Sequence, residues 1–306
     1  MDKKKITAVV VTYNRKNLLI DCINALKTQT RLPDRIIIID NASSDDTQEL
    51  FENNVKFSDN NINYFRLEEN LGGAGGFAEG IRQAIAFDTE WIWLMDDDAL
   101  PQSSALEELM AVAEEPSHVY GSLAIIAEYT AWDLHLVEMG GGKVNRVEDI
   151  PSRARVQFLP FLGFMIHREM VERIGLPDAG FFIAADDVEY CMRAERAGAH
   201  IIVAGKSHIN HPKSDLYFVK LPGKIINCLR LPPWKRYYDV RNRLLIARKY
   251  YGYRLFTQTI PGSFIRLFGT LYNEPQKGAQ IWAFVAGFID GMLGIKGRRH
   301  ASWYIR

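Results

Sequence analysis

The amino-acid sequence predicts an α/β fold, built on a mostly parallel sheet and extended by helices at its C-terminal end. Short apolar and β-branched runs alternate with segments of helical spacing through the first two thirds of the chain. These runs are apolar throughout, as expected for strands that helices cover on both faces. Beyond Lys206 the chain becomes rich in aromatic and basic residues, which sets the C-terminal region apart.

The predicted elements follow these runs in order. Leu19, Ile23 and Leu26 recur at helical spacing, so they mark the inner face of a helix directly after the first strand. Strands are predicted over residues 6–11, 36–39, 62–66, 91–95, 120–127 and 201–204, and near 159–166. Helices are predicted over residues 16–27, 47–53, 76–87, 104–114, 168–174, 186–197, 234–250, 253–271 and 280–295. We place a domain boundary after residue 215, which leaves residues 216–306 as a basic, aromatic, helical region.

Polar or glycine-rich residues follow each of the first four strands, directly in three cases and after three intervening residues in the case of the third strand. The four clusters are residues 12–15, 40–45, 70–76 and 96–98. The carboxyl ends of parallel strands share one rim of a sheet, and the ligands of such sheets bind beyond that rim. We therefore expect the four clusters to contribute to one binding site.

Three consecutive carboxylates, Asp96, Asp97 and Asp98, form the most informative cluster. Adjacent carboxylates repel one another unless a cation lies between them. Oxygen ligands at this density suit Mg²⁺ or Mn²⁺ shared with phosphate oxygens. The alternative is an acidic turn in which one carboxylate caps the next helix. The position of the triplet on the common rim favours the metal site.

A glycine-rich run from Asn70 to Gly76 opens the third helix. Glycines such as Gly72 and Gly73 let backbone N–H groups approach a ligand, and a helix N-terminus favours anions. The run is neither a dinucleotide fingerprint nor a P-loop, because no Gly-Lys-Ser/Thr follows it. The alternative is a flexible loop, but four glycines in five residues before a helix favour contact with a ligand.

A second acidic pair, Asp186 and Asp187, begins a later helix. Asp186 with Glu189 three residues on forms a capping-box pattern. That pattern leaves Asp187 to act as a general base at the rim. His208 and His211 follow the last strand, where a histidine is able to complete a metal site, although single histidines are more often structural.

The formal net charge of zero hides two opposite regions. The 306 residues include 37 basic and 37 acidic ones, yet residues 206–306 hold 18 of the basic and only 4 of the acidic residues. The basic region predicts an anionic partner, either nucleic acid or a membrane surface. Three scattered cysteines exclude a disulfide scaffold or zinc ribbon and indicate a reducing compartment. Because we find no export signal and no run of about 18 apolar residues, we expect a cytoplasmic protein.

Together these motifs resemble the inverting family 2 glycosyltransferases, which have the glycosyltransferase-A fold with its Rossmann-like sheet. The resemblance covers about residues 6–215. Residues 9–15 resemble the first nucleotide-binding strand of that family, and Asp40 resembles the aspartate that holds the uracil or thymine base. The contacts to a nucleotide-sugar donor that the resemblance implies are Thr12, Tyr13, Arg15, Asp40, Asn70, Gly72, Gly73 and Asp97.

The resemblance also implies a mechanism. Asp96 and Asp98 match the outer two ligands of the family's metal motif, which binds Mn²⁺ or Mg²⁺. Asp187, beside Asp186, matches the base that takes the proton of the acceptor hydroxyl. The glycine-rich run is similar to that of bacterial galactofuranosyltransferases, in which a histidine downstream of the base joins the metal, and His211 matches it. Rhamnosyltransferases that use dTDP-rhamnose share much of this pattern, so the donor is UDP-galactofuranose or, as the alternative, dTDP-rhamnose.

The implied acceptor is a growing cell-surface glycan such as O-antigen, capsule or galactan, carried on a lipid diphosphate. The basic C-terminal helices then predict association with the inner face of the cell membrane. The alternative is that they pack on the catalytic domain or form an interface between copies of the chain. Nucleic acid fits less well, because no known binding motif accompanies the charge.

Two other classes of protein are weighed against this one. A sugar nucleotidyltransferase would be expected to show a basic glycine-rich loop near its N-terminus, which residues 9–15 do not have. A non-catalytic glycan-binding protein would have no need of Asp187 or the acidic triplet. Phe161 and Phe164 are candidates for stacking on a sugar, whereas Trp91 and Trp93 lie within a strand and are expected in the core.

Overall fold

The computed structural model describes residues 4–53, 61–138, 140, 142–212, 215–221 and 224–305. The chain divides into two compact units. The first unit comprises Met1–Asp178 and Asp187–Lys213, and the second comprises Ala179–Asp186 and Ser214–Arg306. The division lies near the predicted boundary, but it also assigns the short stretch Ala179–Asp186 to the C-terminal unit.

Within the described residues, the first unit contains one mixed sheet of eleven strands. The strands are β1 (Ile6–Thr12), β2 (Arg35–Asp40), β3 (Ile62–Arg66), β4 (Trp91–Asp96), β5 (Leu100–Pro101), β6 (Val119–Ile126), β7 (Tyr129–Leu136), β8 (Gly142–Arg146), β9 (Ala154–Arg155), β10 (Phe164–His167) and β11 (Ile201–Asn210). The main path runs in the order β3-β2-β1-β4-β10-β6-β11-β5. The first four strands along this path are parallel neighbours, and β10 is antiparallel to both β4 and β6. The predicted parallel arrangement of the N-terminal half is confirmed.

Helices cover both faces of this sheet. They are α1 (Lys16–Lys27), α2 (Thr47–Asn53), α3 (Gly72–Ala86), α4 (Ala105–Val112), α5 (Arg168–Ile174) and α6 (Asp186–Arg196). Val9 and Val11 of β1 belong to the same apolar cluster as α3, whereas Ala8 and Val10 belong to the cluster of α1. Because every residue of β1 is buried, the strand shows no polar alternation, which is the pattern from which the sheet was predicted.

The glycine-rich run belongs to α3, so the predicted helix start at residue 76 was wrong. α3 begins at Gly72 and lies close against β1. A Cβ atom built on Gly76 would lie 2.5 Å from a Val11 methyl carbon, and one on Gly80 would lie 2.3 Å from a Val9 methyl carbon. These two glycines therefore let the helix approach the strand.

Two further differences concern strands. The predicted strand over residues 201–204 continues to Asn210, with a register shift against β6 between Ala204 and His208. The antiparallel pair β7 and β8 was not predicted. Every residue of β8 is exposed or only partly buried, so its sequence lacks the apolar pattern that marks a strand.

The second unit contains α7 (Pro233–Tyr250), α8 (Ile260–Asn273) and α9 (Lys277–Leu293), together with the antiparallel strands β12 (Leu216–Leu221) and β13 (Lys224–Leu229). α7 and α9 lie close to their predicted ranges, whereas α8 begins seven residues after the predicted start at residue 253 and is preceded by a π-helical turn, Leu255–Thr259. The strand pair was not predicted. Arg236 of α7 pairs with the buried Glu274 at 2.6 Å, and the Tyr217 hydroxyl donates to the same carboxylate at 2.7 Å. This contact ties the strand pair to the helices. Within the described residues, no helix is both long and apolar enough to cross a membrane.

Candidate active site

The ends of β1 and β4 bring two polar residues into contact at the predicted rim. Val11 and Asp96 are register partners in this parallel pair, so the residues that follow them lie side by side. The Thr12 hydroxyl donates to Asp97 Oδ2 at 2.7 Å. Asp97 is buried, and that burial raises its pKa more than Thr12 and Arg15 lower it. Asp97 therefore faces inward and fixes the turn that carries its two neighbours.

Arg15 joins the first polar cluster to the acidic triplet. Its Nη1 donates to Asp97 Oδ1 at 3.2 Å and to Asp98 Oδ2 at 2.9 Å. The Arg15 side chain is 46% exposed, so it remains accessible from solvent. A guanidinium in this position offers further donors to a phosphate group beside the carboxylates.

His211 lies next to Asp98 because β5 folds back onto the end of β11. Leu100, two residues after Asp98, is the register partner of Asn210, which immediately precedes His211. His211 Nε2 lies 3.7 Å from Asp98 Oδ1. His208 is turned elsewhere, since its Nε2 lies 2.9 Å from the Gly205 carbonyl oxygen.

Two atoms of this cluster are of a type that binds divalent cations, although the His211 nitrogen that faces Asp98 is Nε2 and the one without a hydrogen bond is Nδ1. Asp98 Oδ1 and His211 Nδ1 are buried, and neither makes a hydrogen bond within the part of the chain that the structure describes. A buried polar atom without a partner is costly, and a metal ion would satisfy it. Carboxylate oxygen with imidazole nitrogen is a donor set that Mn²⁺ accepts. No three His, Cys, Asp or Glu side chains among the described residues lie close enough together to form a complete site.

Asp40 organises the turn that follows β2. It is fully buried; its Oδ1 accepts the Ser43 backbone N–H at 2.8 Å, and its Oδ2 accepts the Tyr64 hydroxyl. The Ser43 hydroxyl in turn accepts the Asn14 backbone N–H at 2.9 Å, which links this turn to the end of β1. Both carboxylate oxygens of Asp40 thus already accept a hydrogen bond. A hydrogen bond from a nucleotide base to Asp40 would have to use the second lone pair of one of them. Tyr13 is 43% exposed at the same rim.

Asn14 is a residue that the sequence reasoning did not single out. Its Oδ1 accepts the Ser44 backbone N–H at 2.6 Å, and its own φ is 54°. Asparagine tolerates this left-handed conformation better than most residues with a Cβ. The sequence signal that could have identified Asn14 is its position in the polar cluster directly after β1, beside the turn that follows β2. Asn14 and Arg15 also border an open depression of about 300 Å³ that reaches Asp45 and Asp46.

The start of α3 also reaches this rim. The Asn70 side chain accepts the Gly72 backbone N–H at 2.7 Å, and the Asn41 side chain accepts the Leu71 N–H at 3.3 Å. A Cβ atom on Gly73 would meet nothing within 4 Å. Gly73 is therefore the glycine of this run with open space before it.

Asp186 and Asp187 are the first two residues of α6. Burial raises the pKa of Asp187 to about 6, although the Val188 backbone N–H donates to its Oδ1 at 2.7 Å. No basic side chain among the described residues pairs with Asp187. A carboxyl group with a raised pKa has the basicity that general-base catalysis near neutral pH requires. The predicted capping box differs in the structure. Asp186 is the first residue of α6, and the Glu189 carboxylate forms an ion pair with Arg193 at 2.8 Å.

The aromatic candidates separate as follows. Phe161 and Phe164 are 4% and 0% exposed and pack in the core, so the suggestion that they stack on a sugar was wrong. Their ring centroids lie 5.1 Å apart in an edge-to-face contact within this core. Trp91 and Trp93 are buried in β4, and the core role predicted for both is confirmed.

The chain is similar in sequence to a known protein family and to two curated relatives. Residues 7–175 match the family described as glycosyl transferase family 2. The galactofuranosyltransferase GlfT1 of Mycobacterium tuberculosis is 33% identical over 251 residues, which cover 78% of this chain and 81% of that protein. The dTDP-rhamnosyl transferase RfbF of Shigella flexneri is 26% identical over 302 residues, covering 95% and 97% of the two chains.

One solved structure supports the fold. The chain superposes with a TM-score of 0.62 on GalNAc-T7 crystallised with UDP, GalNAc and Mn²⁺. The match covers 98% of this chain and 57% of that one, at 14% identity. The predicted glycosyltransferase-A fold is thus confirmed.

Proposed function

Since the chain belongs to glycosyl transferase family 2, we propose that it transfers galactofuranose from UDP-galactofuranose to a growing cell-surface glycan. That it is a glycosyltransferase follows from the family match and from its relatives. The choice of sugar is supported by the 33% identity to GlfT1. The observation that carries the site assignment is that Asp98 Oδ1 and His211 Nδ1, beside the acidic triplet, are both buried and make no hydrogen bond within the part of the chain that the structure describes.

The proposed reaction is a single displacement that inverts the anomeric carbon. The Asp187 carboxylate takes the proton of the acceptor hydroxyl. The acceptor oxygen then forms a bond to the anomeric carbon while the bond from that carbon to the diphosphate oxygen breaks. The sugar leaves UDP and joins the glycan, and Asp187 later returns its proton to solvent. With a pKa of about 6, Asp187 is ionised at neutral pH and ready to accept this proton.

Asp96, Asp98 and His211 are the residues that would hold Mn²⁺ or Mg²⁺. When bound, such an ion neutralises charge on the diphosphate leaving group. Arg15 contributes in the same direction, because its half-exposed guanidinium already lies beside Asp97 and Asp98. The protein thus provides positive charge beside the phosphates from its own side chains.

The nucleotide is proposed to lie along the rim formed by the ends of β1 and β2. Tyr13 offers an exposed ring, and Thr12 and Asp40 fix the two turns from inside. The donor sugar or phosphates would then meet the start of α3. Its contacts there are Asn70, Gly72 and Gly73.

The donor is tested by incubating the purified protein with a synthetic galactan acceptor, Mn²⁺ and one donor at a time. We expect transfer from UDP-galactofuranose that chelation with EDTA abolishes. Asp187→Asn should lower kcat by about 100-fold or more, because the base is removed while the shape is kept. Transfer from dTDP-rhamnose alone would favour the second candidate, which the likeness to RfbF over 95% of this chain supports. Full activity in Asp187→Asn would refute the assigned base.

We also propose that the second unit binds an anionic membrane surface. Phe264, Phe268 and Tyr272 are spaced four residues apart on α8, and all three are exposed, Tyr272 by 88%. α9 exposes apolar side chains at the same spacing, namely Ile281, Val285, Ile289 and Leu293. Residues 206–306 carry 18 basic and 4 acidic residues, and although Arg236 and Arg241 are buried, this excess of basic charge is what an anionic bilayer would attract. Exposed aromatic rings beside basic charge are typical of helices that lie in a membrane interface.

Flotation with vesicles tests this surface. We expect binding to phosphatidylglycerol vesicles that weakens in Phe268→Gln and Tyr272→Gln and is absent for phosphatidylcholine. Leu32→Gln, at an exposed leucine of the first unit, is the matched control and should bind normally. If instead the two variants bind normally but change the oligomeric state, the apolar face is an interface between copies of the chain.

A further inference from the structure

The backbone that leads into Asp187 has an unusual conformation. We call residues 179–185 the lead segment. Phe182, Ala184 and Ala185 all have positive φ, at 64°, 72° and 61°. A residue with a Cβ disfavours this region, and several such residues persist together only where the surroundings hold them. The next two residues along the chain are Asp186 and Asp187.

Asn242 of α7 holds the lead segment by its backbone carbonyls. The side chain is fully buried. Its Nδ2 donates to the carbonyl oxygens of Phe181, Ile183 and Ala184 at 3.1, 2.8 and 2.7 Å. One amide group thus fixes carbonyls on both sides of Phe182, where the backbone turns.

Arg241 adds a second set of hydrogen bonds. It is also fully buried; its Nη2 donates to the carbonyl oxygens of Gly180 and Phe181 at 3.0 and 2.7 Å. Its Nη1 donates to the Gly297 carbonyl oxygen at 2.5 Å, and its Nε donates to Asn242 Oδ1 at 2.8 Å. The last contact orients the Asn242 amide so that Nδ2 faces the lead segment. Burying a guanidinium is costly, so the arrangement needs a compensating role.

We propose that Arg241 and Asn242 are positioning residues for the transfer reaction. By holding the lead segment they determine where α6 begins, and so the orientation of the Asp187 carboxyl group. This inference rests on the assignment of Asp187 as the base. A displacement of about 1 Å between reacting groups costs up to about 100-fold in rate. Hydrogen bonds that fix the backbone directly before Asp187 would therefore protect the rate of transfer.

Two variants test the proposal. Asn242→Asp keeps the side-chain shape and the acceptor for Arg241 but removes the Nδ2 donor. Arg241→Lys keeps the charge but loses the forked geometry. We expect each to lower kcat about 10- to 100-fold, with KM for the donor changed by less than about twofold. In an Asp187→Asn background, Asn242→Asp should lower the residual rate by less than about twofold, because both changes act through the same carboxyl group.

Arg236→Lys is the matched control. Arg236 is another buried arginine of α7, but it contacts Glu274 and the Leu229 carbonyl oxygen. We expect this variant to lower stability and to leave kcat per folded molecule unchanged. If it loses as much activity as Arg241→Lys, the effect is general to the helix and the proposal is wrong. A loss from Asn242→Asp that remains full in the Asp187→Asn background would also refute it.

Amide hydrogen exchange provides a readout that does not depend on the reaction. Peptides covering residues 179–190 should exchange faster in Asn242→Asp than in the wild-type protein and the Arg236→Lys control. Unchanged exchange would overturn the proposal even if activity fell. If the wild-type protein transfers no sugar, the proposed function fails, while exchange still decides whether Asn242 holds the lead segment. Where Asn242→Asp does not fold, Arg241→Lys is judged by the same two measurements.

Discussion

Asp187→Asn is expected to lower the rate of transfer by about 100-fold or more and, at the same time, to stabilise the protein. The pKa of this carboxyl group rises from an ordinary value of 3.8 to about 6 because the group is buried. Burial therefore favours the protonated form, and ionisation above pH 6 destabilises the folded state. Asparagine has nearly the same shape, stays uncharged, and keeps an acceptor for the Val188 N–H.

The magnitude follows from the two pKa values. Each pKa unit corresponds to about 1.4 kcal/mol, so the ionised carboxylate costs the folded state about 3 kcal/mol at pH 7.5. At pH 4.5 the folded protein keeps the carboxyl group largely protonated, whereas the unfolded chain, with its pKa of 3.8, ionises the group, and this ionisation favours unfolding by only about 1 kcal/mol. The free energy of unfolding is therefore not reduced by this group below its unfolded pKa of 3.8. It falls as the pH rises from there through the folded pKa of about 6.

Urea unfolding followed by tryptophan fluorescence measures this difference. We expect Asp187→Asn to raise the free energy of unfolding by about 3 kcal/mol at pH 7.5 and by about 1 kcal/mol at pH 4.5. Asp45→Asn is a control of opposite sign. Burial raises the pKa of Asp45, but hydrogen bonds from Thr47 and Lys16 outweigh it and lower that pKa, so the variant should be less stable at neutral pH. An equal gain for Asp187→Asn at both pH values, or a loss at pH 7.5, would refute the reasoning.

Three other substitutions, and Gly73→Ala as a control for one of them, provide further tests. His211→Ala should weaken Mn²⁺ binding about 10-fold or more by calorimetry, and unchanged affinity would exclude this ligand. Gly76→Ala should cost about 1–3 kcal/mol in the unfolding free energy, because its Cβ would clash with the strand beneath it. Gly73→Ala has open space and should cost nothing; equal losses would contradict the packing argument. Glu274→Gln should cost about 3–5 kcal/mol by leaving Arg236 without its buried carboxylate, and a melting temperature within error of wild type would contradict this.

The sequence predicts most of the parallel half of the fold because its strands are buried on both faces. The run from Ile6 to Thr12 is apolar in the sequence for the same reason that it is buried in the structure. β8 escaped prediction because its residues are exposed or only partly buried, and β7 because its buried residues are interspersed irregularly with partly buried and polar ones. The start of α3 was misplaced because glycine is normally a poor helix former, whereas here it serves close packing against Val11.

The candidate site could be predicted only in part. Asp96, Asp97 and Asp98 stand out because adjacent acids are costly without a cation, but which of them turns inward depends on a hydroxyl from the next strand. The hydrogen bond from Thr12 to Asp97 is a consequence of strand order. The partners of Arg241 and Asn242 are backbone carbonyls some sixty residues away in the chain, and any residue type supplies a carbonyl. No sequence pattern identifies such a contact.

The first unit is interrupted in the chain by eight residues that belong to the second. During synthesis, β6 must wait for β11, its parallel partner, which follows that interruption. The stretch Ala179–Asp186 must wait longer, because Arg241 and Gly297 are made after it. A nascent chain cut short near residue 215 would therefore possess every strand of the large sheet yet leave the approach to Asp187 unanchored. Synthesis of α7 and of the chain as far as Gly297, rather than completion of the sheet, is the step at which we expect the enzyme to become competent.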